Sequence, residues 1–389
     1  MSLYHVRYFA ETIGPRGSTT PKEKEAAEYS AQTLRRAGLE AFIEHFYSAR
    51  SSYYPYVLFT GLFLAAEVLF WIAGQAGSIA ALLIGLAALG SVILELLFRS
   101  NPFRWILPKG TGHNTWARIP PSGPVKQKVL LVGHLDSHRT PLIFSSRRWT
   151  KLFKTLVPLG LISSVILLAL FAIDLFFPVQ TWRWASLPFS LVIAGVFLIT
   201  LQADFTPYTQ GANDNATGAA ITLSTAERLA QAPLINTEVW AVLNGCEEVG
   251  CYGAEAFAAN HKNELEGAAW ITLDSLGSGS IAYLTQETFL FPARSDPALL
   301  EIASEVSRRC PELDTFPYAF QGAYTDGFIG IKYGFPTLTL LGQSRNGELS
   351  EWHRVTDDMA RLDPQVVDRA EQFLWEILKE IDQKDLAGK

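Results

Sequence analysis

Four long apolar segments constrain this chain more than any other feature of its sequence. Each has about the length that a helix needs to cross the hydrocarbon core of a bilayer, and charged side chains are rare within them. Charged residues make up only 18% of the 389 residues and hydrophobic residues 49%, which is unusually apolar for a soluble enzyme. We therefore predict four transmembrane helices, over residues 57–73, 79–98, 156–177 and 184–201.

Short connections pair these segments into two predicted transmembrane hairpins, over residues 56–98 and 152–201. Tyrosine and tryptophan residues cluster near the segment ends, where aromatic side chains favour the membrane interface. The remaining residues, 1–55, 100–150 and 202–389, are predicted to form one domain that the hairpins interrupt. Loops tolerate such insertions because additional length adds little to the entropic cost of loop closure. The chain is thus predicted to be an integral, multi-pass membrane protein with the lipid bilayer as a partner.

Basic residues are unevenly distributed about the predicted hairpins. Arg183 is the basic residue at their far tips, and the side that joins the rest of the chain carries Arg50, Arg99, Arg104, Lys109, Arg139, Arg147, Arg148, Lys151 and Lys154. Because Lys and Arg are enriched in cytoplasmic loops, this asymmetry predicts that the large domain faces the cytoplasm. The formal net charge of −6 argues against nucleic acid as a partner. The sequence leaves the oligomeric state open.

Outside the hairpins, short apolar runs alternate with helical patterns. Buried strands are predicted over residues 129–132, 239–243, 269–273 and 336–341, and helices over residues 297–309 and 364–381 and after Gly218 and Tyr252. Helices between buried strands are typical of an α/β sandwich with a mostly parallel central sheet. In open sheets of this class, ligands bind at the carboxyl ends of the strands.

Candidate metal ligands follow these predicted strands one after another. In chain order they are His134 and Asp136, Asp214 in a glycine-bounded loop that enters a helix, Glu247 and Glu248, Asp274, and His353. Taken singly, each has an ordinary structural explanation, such as a helix cap, a turn or a surface pair. Their joint placement brings imidazole and carboxylate groups to one sheet edge, and this mixture suits zinc.

The ordered set of motifs resembles peptidase family M28, the aminopeptidase Y-type zinc exopeptidases with two co-catalytic ions. The motifs that carry the resemblance are residues 13–17, 25–29 and 133–137, the Asp214 loop, residues 247–253, Asp274, Thr325–Asp326, residues 334–336, His353 and Asp357. They span nearly all of the chain outside the apolar segments. The resemblance implies a zinc-exopeptidase-like α/β/α sandwich, here with two inserted hairpins.

The resemblance also implies a site with two Zn²⁺ ions per chain. It assigns one ion to His134 and Asp274, the second to Glu248 and His353, and a bridging position to Asp214. The three carboxylates and a bridging hydroxide would neutralise the four positive charges of the two ions. Paired ions lower the pKa of the water that they hold and polarise a substrate carbonyl.

Further roles follow from the same resemblance. Glu247 would be the general base, which takes the proton of the attacking water and passes it to the leaving amine. Asp136 and Asp357 would orient the two histidine ligands, and Asp326 would be a further carboxylate outside the ligand set. Tyr324 could stabilise the oxyanion, although packing in the core explains this tyrosine equally well.

The implied activity is hydrolysis of terminal peptide bonds, and an aminopeptidase acting on a peptide substrate is favoured. Three alternatives stay open at this point. A single-zinc glutaminyl cyclase, which is an acyltransferase, is built on the same fold, and some related proteins are non-catalytic binding or scaffold proteins. A transporter is suggested only by Glu67, an acidic residue within the first apolar segment.

Overall fold

The computed structural model describes residues 1–99, 101–347 and 351–384. Its contacts divide the chain into two compact units. The first, here called the sheet unit, comprises Met1–Arg50, Lys109–His138 and Tyr208–Lys389, and the second, the helical unit, comprises Ser51–Pro108 and Arg139–Pro207. The predicted hairpins at 56–98 and 152–201 fall inside the two segments of the helical unit, which extend beyond them at each end.

Strands and helices are named here in chain order, over the described residues. The strands are β1 (Ala41–Ala49), β2 (Lys109–Ile119), β3 (Gln127–His134), β4 (Thr237–Asn244), β5 (Ala269–Asp274), β6 (Ser280–Thr288), β7 (Pro292–Arg294), β8 (Thr315–Gln321) and β9 (Thr337–Gln343). The helices are α1 (Ser2–Arg7), α2 (Pro21–Arg36), α3 (Tyr54–Ile72), α4 (Gly74–Leu96), α5 (Arg147–Phe176), α6 (Gln180–Ala203), α7 (Thr217–Gln231), α8 (Tyr252–His261), α9 (Pro297–Arg309), α10 (Asp326–Lys332) and α11 (Pro364–Gln383).

All of these strands belong to one mixed sheet. Its order is β1-β2-β4-β3-β5-β9-β6-β7, with β8 paired to β6. The four central strands, β4, β3, β5 and β9, are parallel, and they overlap the four buried strands that the sequence predicts. Antiparallel pairs lie on both sides of them, so the predicted parallel core is the centre of a mixed sheet.

Helices cover both faces of the sheet because successive residues of a central strand point to opposite sides. On one face, Leu131 and Ile271 pack in the main core together with residues of α1, α2, α7, α9 and α11. On the other face, Trp240 stacks on Trp116 with ring centroids 5.0 Å apart, and it also contacts Phe257 of α8. The sheet unit is therefore the α/β/α sandwich that the sequence predicts.

The helical unit consists mainly of α3 to α6, packed around an apolar core that includes Phe63, Phe70 and Phe171. These helices contain 19, 23, 30 and 24 residues, and each is long and apolar enough to cross a membrane. Their ends differ from the predicted ones. Residues 74–78, which we expected to join two helices as a loop, form the beginning of α4, and the turn before it is centred on Ala73.

The buried carboxylates of these apolar helices include Glu67 and Asp174. Glu67 accepts a hydrogen bond from the hydroxyl of Ser186. Asp174 accepts one from the hydroxyl of Ser78 at 2.6 Å and one from the guanidinium of Arg183 at 3.4 Å. Each of these two carboxylates accepts its hydrogen bonds through one oxygen, and its other oxygen is buried without a hydrogen-bond partner among the described residues.

Candidate metal centre

The carboxyl ends of the parallel strands carry the candidate ligands. His134 is the last residue of β3 and pairs in register with Asn244, the last residue of β4. Asp274 is the last residue of β5, and Glu247 and Glu248 follow β4 closely. Because parallel strands end at the same edge of a sheet, these side chains meet although they are far apart in sequence.

Five side chains converge at this edge. The Nε2 atom of His134 lies 3.3 Å from Oδ1 of Asp214 and 3.8 Å from Oδ1 of Asp274. The Nε2 atom of His353 lies 3.6 Å from Oδ2 of Asp214 and 3.2 Å from Oε2 of Glu248. Asp214 thus presents one carboxylate oxygen to each of two donor sets. A carboxylate in this orientation can bridge two cations about 3.5–4 Å apart.

The donor atoms fit a metal ion in spacing and in chemistry. One ligand atom each from His134, Asp214 and Asp274 lies within 4.8 Å of the other two. Oε1 of Glu248 is buried and accepts no hydrogen bond from any described residue, which leaves it available to a cation. Imidazole nitrogens together with carboxylate oxygens are a donor set that zinc binds well.

Burial of several acidic groups makes the site strongly electronegative. Burial raises the pKa of Asp214, and it raises the pKa values of Glu247 and Glu248 well above the ordinary range, with repulsion between neighbouring carboxylates adding to the effect. Burial alone lowers the pKa of His134, but Glu247 and the nearby aspartates raise it well above its usual value. These shifts show a site that is short of positive charge, and bound cations would supply it.

Asp136 holds the loop that follows β4. Its Oδ1 accepts the backbone N–H of Glu247 at 3.0 Å, and its Oδ2 accepts that of Glu248 at 3.2 Å. The hydroxyl of Ser18 also donates to Oδ2, at 2.5 Å. Oδ1 lies 3.5 Å from Nδ1 of His134, whose N–H donates to the backbone carbonyl of Asp136 at 3.1 Å. Asp136 therefore contacts His134, as its predicted role requires, and also fixes the segment with the predicted base.

Asp357 holds the loop that carries Asp214. Its Oδ1 accepts the backbone N–H of Asn213 at 2.7 Å, and its Oδ2 accepts that of Asp214 at 3.0 Å. Its carboxylate is thus hydrogen-bonded to the loop that carries Asp214. Burial raises the pKa of Asp357 to about 7.

Asp326 and Tyr324 lie beside this centre. Asp326 is buried next to Glu247 and Cys251, and burial raises its pKa to about 7. The hydroxyl of Tyr324 donates to the backbone carbonyl of Phe291 at 2.6 Å. A role of Tyr324 in stabilising an oxyanion would therefore require this hydrogen bond to be exchanged.

His138 is a candidate ligand that the sequence analysis missed. Its ring stacks on that of His353 with centroids 3.5 Å apart and an angle of 11° between the planes. One of its nitrogens lies within 4.8 Å of ligand atoms of Glu248 and His353. The pKa of His353 lies well below its ordinary value, mainly because the ring is buried and also because His138 repels its charged form. The sequence signal that could have identified His138 is its position only four residues after His134.

Arg16 is the second residue whose position was missed. It is fully buried, and its guanidinium donates to the backbone carbonyls of Leu135 at 2.7 Å, of Gly211 at 2.8 Å and of Gln210. These carbonyls lie just before Asp136 and Asp214, so Arg16 ties together two segments of the site. Burial lowers the pKa of Arg16 to about 10. Nothing in the sequence indicates that this arginine is buried.

Comparison with known families agrees with this geometry. Residues 196–378 match the model of peptidase family M28. The match contains Asp214, Glu247, Glu248, Asp274 and His353, and His134 lies before it. The resemblance to this family is thereby confirmed. A search of curated protein sequences finds no significant match.

Solved structures with a similar fold are distant in sequence. A glutaminyl cyclase from Tannerella forsythia is 13% identical, with a TM-score of 0.59 and 97% of each chain covered. A zinc aminopeptidase from Bacillus subtilis is 12% identical, with a TM-score of 0.58, and 97% of this chain and 94% of that chain are covered. A Zn-dependent exopeptidase from Parabacteroides distasonis is 15% identical, with a TM-score of 0.56 over 97% and 96% of the two chains. At this identity the likeness establishes the fold alone.

Proposed function

Because residues 196–378 belong to peptidase family M28 and the sheet unit has the zinc-exopeptidase fold, we propose that this chain is a membrane-anchored zinc exopeptidase. An aminopeptidase that removes N-terminal residues from peptides is the form we favour. The observation that carries the proposal is the orientation of Asp214, which presents one oxygen to His134 and the other to His353. Two donor sets joined by one carboxylate suit a pair of ions.

In this proposal, the chain holds two Zn²⁺ ions. His134 and Asp274 would hold one ion, Glu248 and His353 would hold the other, and Asp214 would be shared between them. When bound, such ions lower the pKa of water and polarise the scissile carbonyl. Asp136 and Asp357 keep the ligand segments in place through the backbone hydrogen bonds described above.

Glu247 is the proposed general base. Its Oε2 lies 3.9 Å from Nε2 of His134, so the carboxylate reaches the edge of the ligand set without belonging to it. From there it can accept a proton from the attacking water and deliver it to the leaving amine, a contribution of typically 10²–10⁴-fold, or about 3–5 kcal/mol. Its position is fixed because Asp136 accepts its backbone N–H.

The first test is replacement of the proposed base. We expect Glu247→Gln to retain zinc and lower kcat by about 10²–10⁴-fold, since the amide cannot accept the proton. Zinc should be counted by mass spectrometry on protein purified in detergent, and kcat measured with aminoacyl peptides. Full activity of the variant would refute the assigned base, and loss of zinc would show that Glu247 is a ligand. A binding or scaffold protein would show no turnover even as wild type.

A glutaminyl cyclase is the second candidate function, because the cyclase from Tannerella forsythia matches this fold as well as the zinc aminopeptidase does. The complete second donor set, with Glu248 and His353, favours the peptidase over a single-zinc enzyme. A panel of free aminoacyl peptides, blocked peptides and glutaminyl peptides distinguishes the two. One zinc per chain with release of ammonia from N-terminal glutamine would favour the cyclase.

We also propose that α3 to α6 anchor the protein in the membrane as two hairpins, with the catalytic domain on the cytoplasmic side. In this arrangement, residues 1–55, 100–150 and 202–389 form one peptidase domain, and 56–98 and 152–201 are the hairpins. Four helices of sufficient length and apolarity support the anchoring. The excess of basic residues on one side of the hairpins supports the orientation.

A further inference from the structure

A second group of metal-binding side chains lies beside the proposed zinc site. Glu247, Cys251 and Asp326 each bring one ligand atom to within 4.8 Å of the other two. The exposed fraction is only 2% for Cys251 and 1% for Asp326. Neither residue belongs to the five proposed zinc ligands. The group is therefore a separate donor set, which shares Glu247 with the proposed catalytic site.

The two oxygens of Glu247 face different neighbours. Oε2 lies 3.9 Å from Nε2 of His134, on the side of the proposed zinc site. Oε1 lies 3.6 Å from Sγ of Cys251 and accepts the weak hydrogen bond of its thiol. The proposed base is thus placed between the two donor sets.

Asp326 provides an independent indication of a ligand. Its Oδ2 accepts a hydrogen bond from Nδ2 of Asn244 at 3.2 Å. Its Oδ1 is buried and accepts no hydrogen bond from any described residue. A buried polar atom without a partner costs about 1–3 kcal/mol, and more when it carries charge. A cation bound by the carboxylate of Asp326 would give this oxygen a partner.

We propose that Glu247, Cys251 and Asp326 form an inhibitory third site for a thiophilic divalent cation, such as zinc in excess or cadmium. One thiolate with two carboxylates suits zinc and disfavours magnesium and calcium, which prefer oxygen alone. Tetrahedral zinc with bonds of about 2.0–2.3 Å separates its ligand atoms by roughly 3.3–3.8 Å. The distance of 3.6 Å between Cys251 and Glu247 already has this value.

Binding exchanges one bond of the thiol for another. A metal–sulfur bond replaces the S–H bond of Cys251, the proton passes to solvent, and no oxidation state changes. Glu247 then donates an electron pair to the cation and becomes too weak a base to accept the proton of water. This loss of activity rests on the proposed function, whereas metal binding does not. Peptidase activity would therefore fall once the metal concentration exceeds the amount needed to fill the two proposed zinc positions.

The test uses the full chain in detergent with reduced thiols and with the two primary positions filled with zinc. Cadmium is added, and the ultraviolet charge-transfer band of cadmium thiolate is followed together with peptide hydrolysis. We expect the band to saturate at about one cadmium per chain and hydrolysis to fall in step with it. The primary site contains no sulfur, so exchange of its zinc for cadmium gives no such band.

Four variants make the test specific. Loss of a side chain that only holds a metal ligand in place weakens metal binding by about 10–100-fold. Loss of a direct ligand should cost at least as much, so Cys251→Ser should abolish the band and raise the cadmium concentration for half-inhibition at least about tenfold. Asp326→Asn keeps the thiol and the shape of the side chain and should also weaken the band. Cys246→Ser and Cys310→Ser are the controls, because these cysteines lie outside the group, and both should give the wild-type band.

Several outcomes would overturn the third site. They are a full band in Cys251→Ser, the absence of a band in the wild type with reduced thiols, and hydrolysis that continues while the band is saturated. The failure of the proposed function gives a different result. If the chain hydrolyses no peptide but the band forms and requires Cys251, the metal site stands and the peptidase assignment is wrong.

Discussion

Single residues in the proposed centre are positioned largely through backbone hydrogen bonds. The carboxylate of Asp136 accepts the N–H groups of Glu247 and Glu248, and that of Asp357 accepts those of Asn213 and Asp214. A carboxylate held by two backbone donors has a fixed orientation, and it fixes the segment that supplies them. The proposed ligands and the proposed base therefore depend on residues outside the proposed ligand set.

Asp357 provides a direct test of this dependence. Asp357→Ala removes both acceptors for the loop that carries Asp214. Side chains that hold a metal ligand in place are worth about 10–100-fold in metal affinity or activity. We expect zinc affinity to fall within that range, as measured by competition with a chelator. The control is Asp358→Ala, because within the described part of the chain the side chain of Asp358 accepts only the local backbone N–H of Ala360. Equal zinc affinity in both variants would contradict the proposed role.

At the scale of secondary structure, the start of α7 is pressed closely against the sheet. A Cβ atom at Gly218 would lie 2.1 Å from the backbone oxygen of Leu273, and one at Gly133 would lie 2.7 Å from the backbone of Gly218. The absence of side chains at these two positions lets the helix approach β3 and β5. Because Asp214 lies three residues before this helix, the close approach brings its carboxylate to the strand ends.

Gly218→Ala should disturb this packing. The added methyl group collides with backbone, which cannot move aside as a flexible side chain can, and overpacking of this kind costs typically 1–3 kcal/mol. We expect a lower unfolding temperature together with weaker zinc binding. Gly90→Ala in α4 is the control, because a Cβ atom there has no neighbour within 4 Å. Unchanged stability of the Gly218 variant would show that the helix start can shift without cost.

The elements of the core could be predicted from sequence to a useful extent. Central strands are buried on both faces and therefore appear as continuous apolar runs, and the ligands follow them directly. The position of Arg16 could not be predicted, because burial of an arginine depends on carbonyl groups from distant loops. The same holds for Asp357, whose partners in the Asp214 loop are backbone groups. The end of α3 and the beginning of α4, on either side of Ala73, were not predicted, because small apolar residues give no clear stop signal.

For the whole molecule, metal should contribute strongly to stability. The proposed ligands bring buried carboxylates together, and their repulsion opposes folding unless cations are present. A ligand at one hundred times its dissociation constant stabilises the folded state by about 2.7 kcal/mol. We therefore expect a chelator to lower the unfolding temperature and added zinc to restore it, as followed by circular dichroism. An unchanged transition after verified removal of zinc would contradict this.

Membrane anchoring and orientation can be tested on the intact chain. We expect the protein to stay in the membrane fraction after alkaline carbonate washing, since four apolar helices hold it there. In sealed vesicles with the cytoplasmic face outward, added protease should cleave the peptidase domain. In vesicles of the opposite orientation the domain should be protected. The reverse pattern would contradict the orientation, and release by carbonate would contradict the anchoring.

The order of strands in the sheet has a consequence for biosynthesis. Strand β3 pairs with β4 and β5 among the described strands, and both are synthesised only after α5 and α6. Strand β2 likewise pairs with β4, which follows those helices in the chain. The centre of the sheet therefore cannot close on a nascent chain until both hairpins have left the ribosome. If α3 to α6 insert into the bilayer as proposed, insertion should precede completion of the sheet unit. A chain stalled before β4 would expose β3 as an unpaired apolar strand, open to aggregation and to quality-control proteolysis.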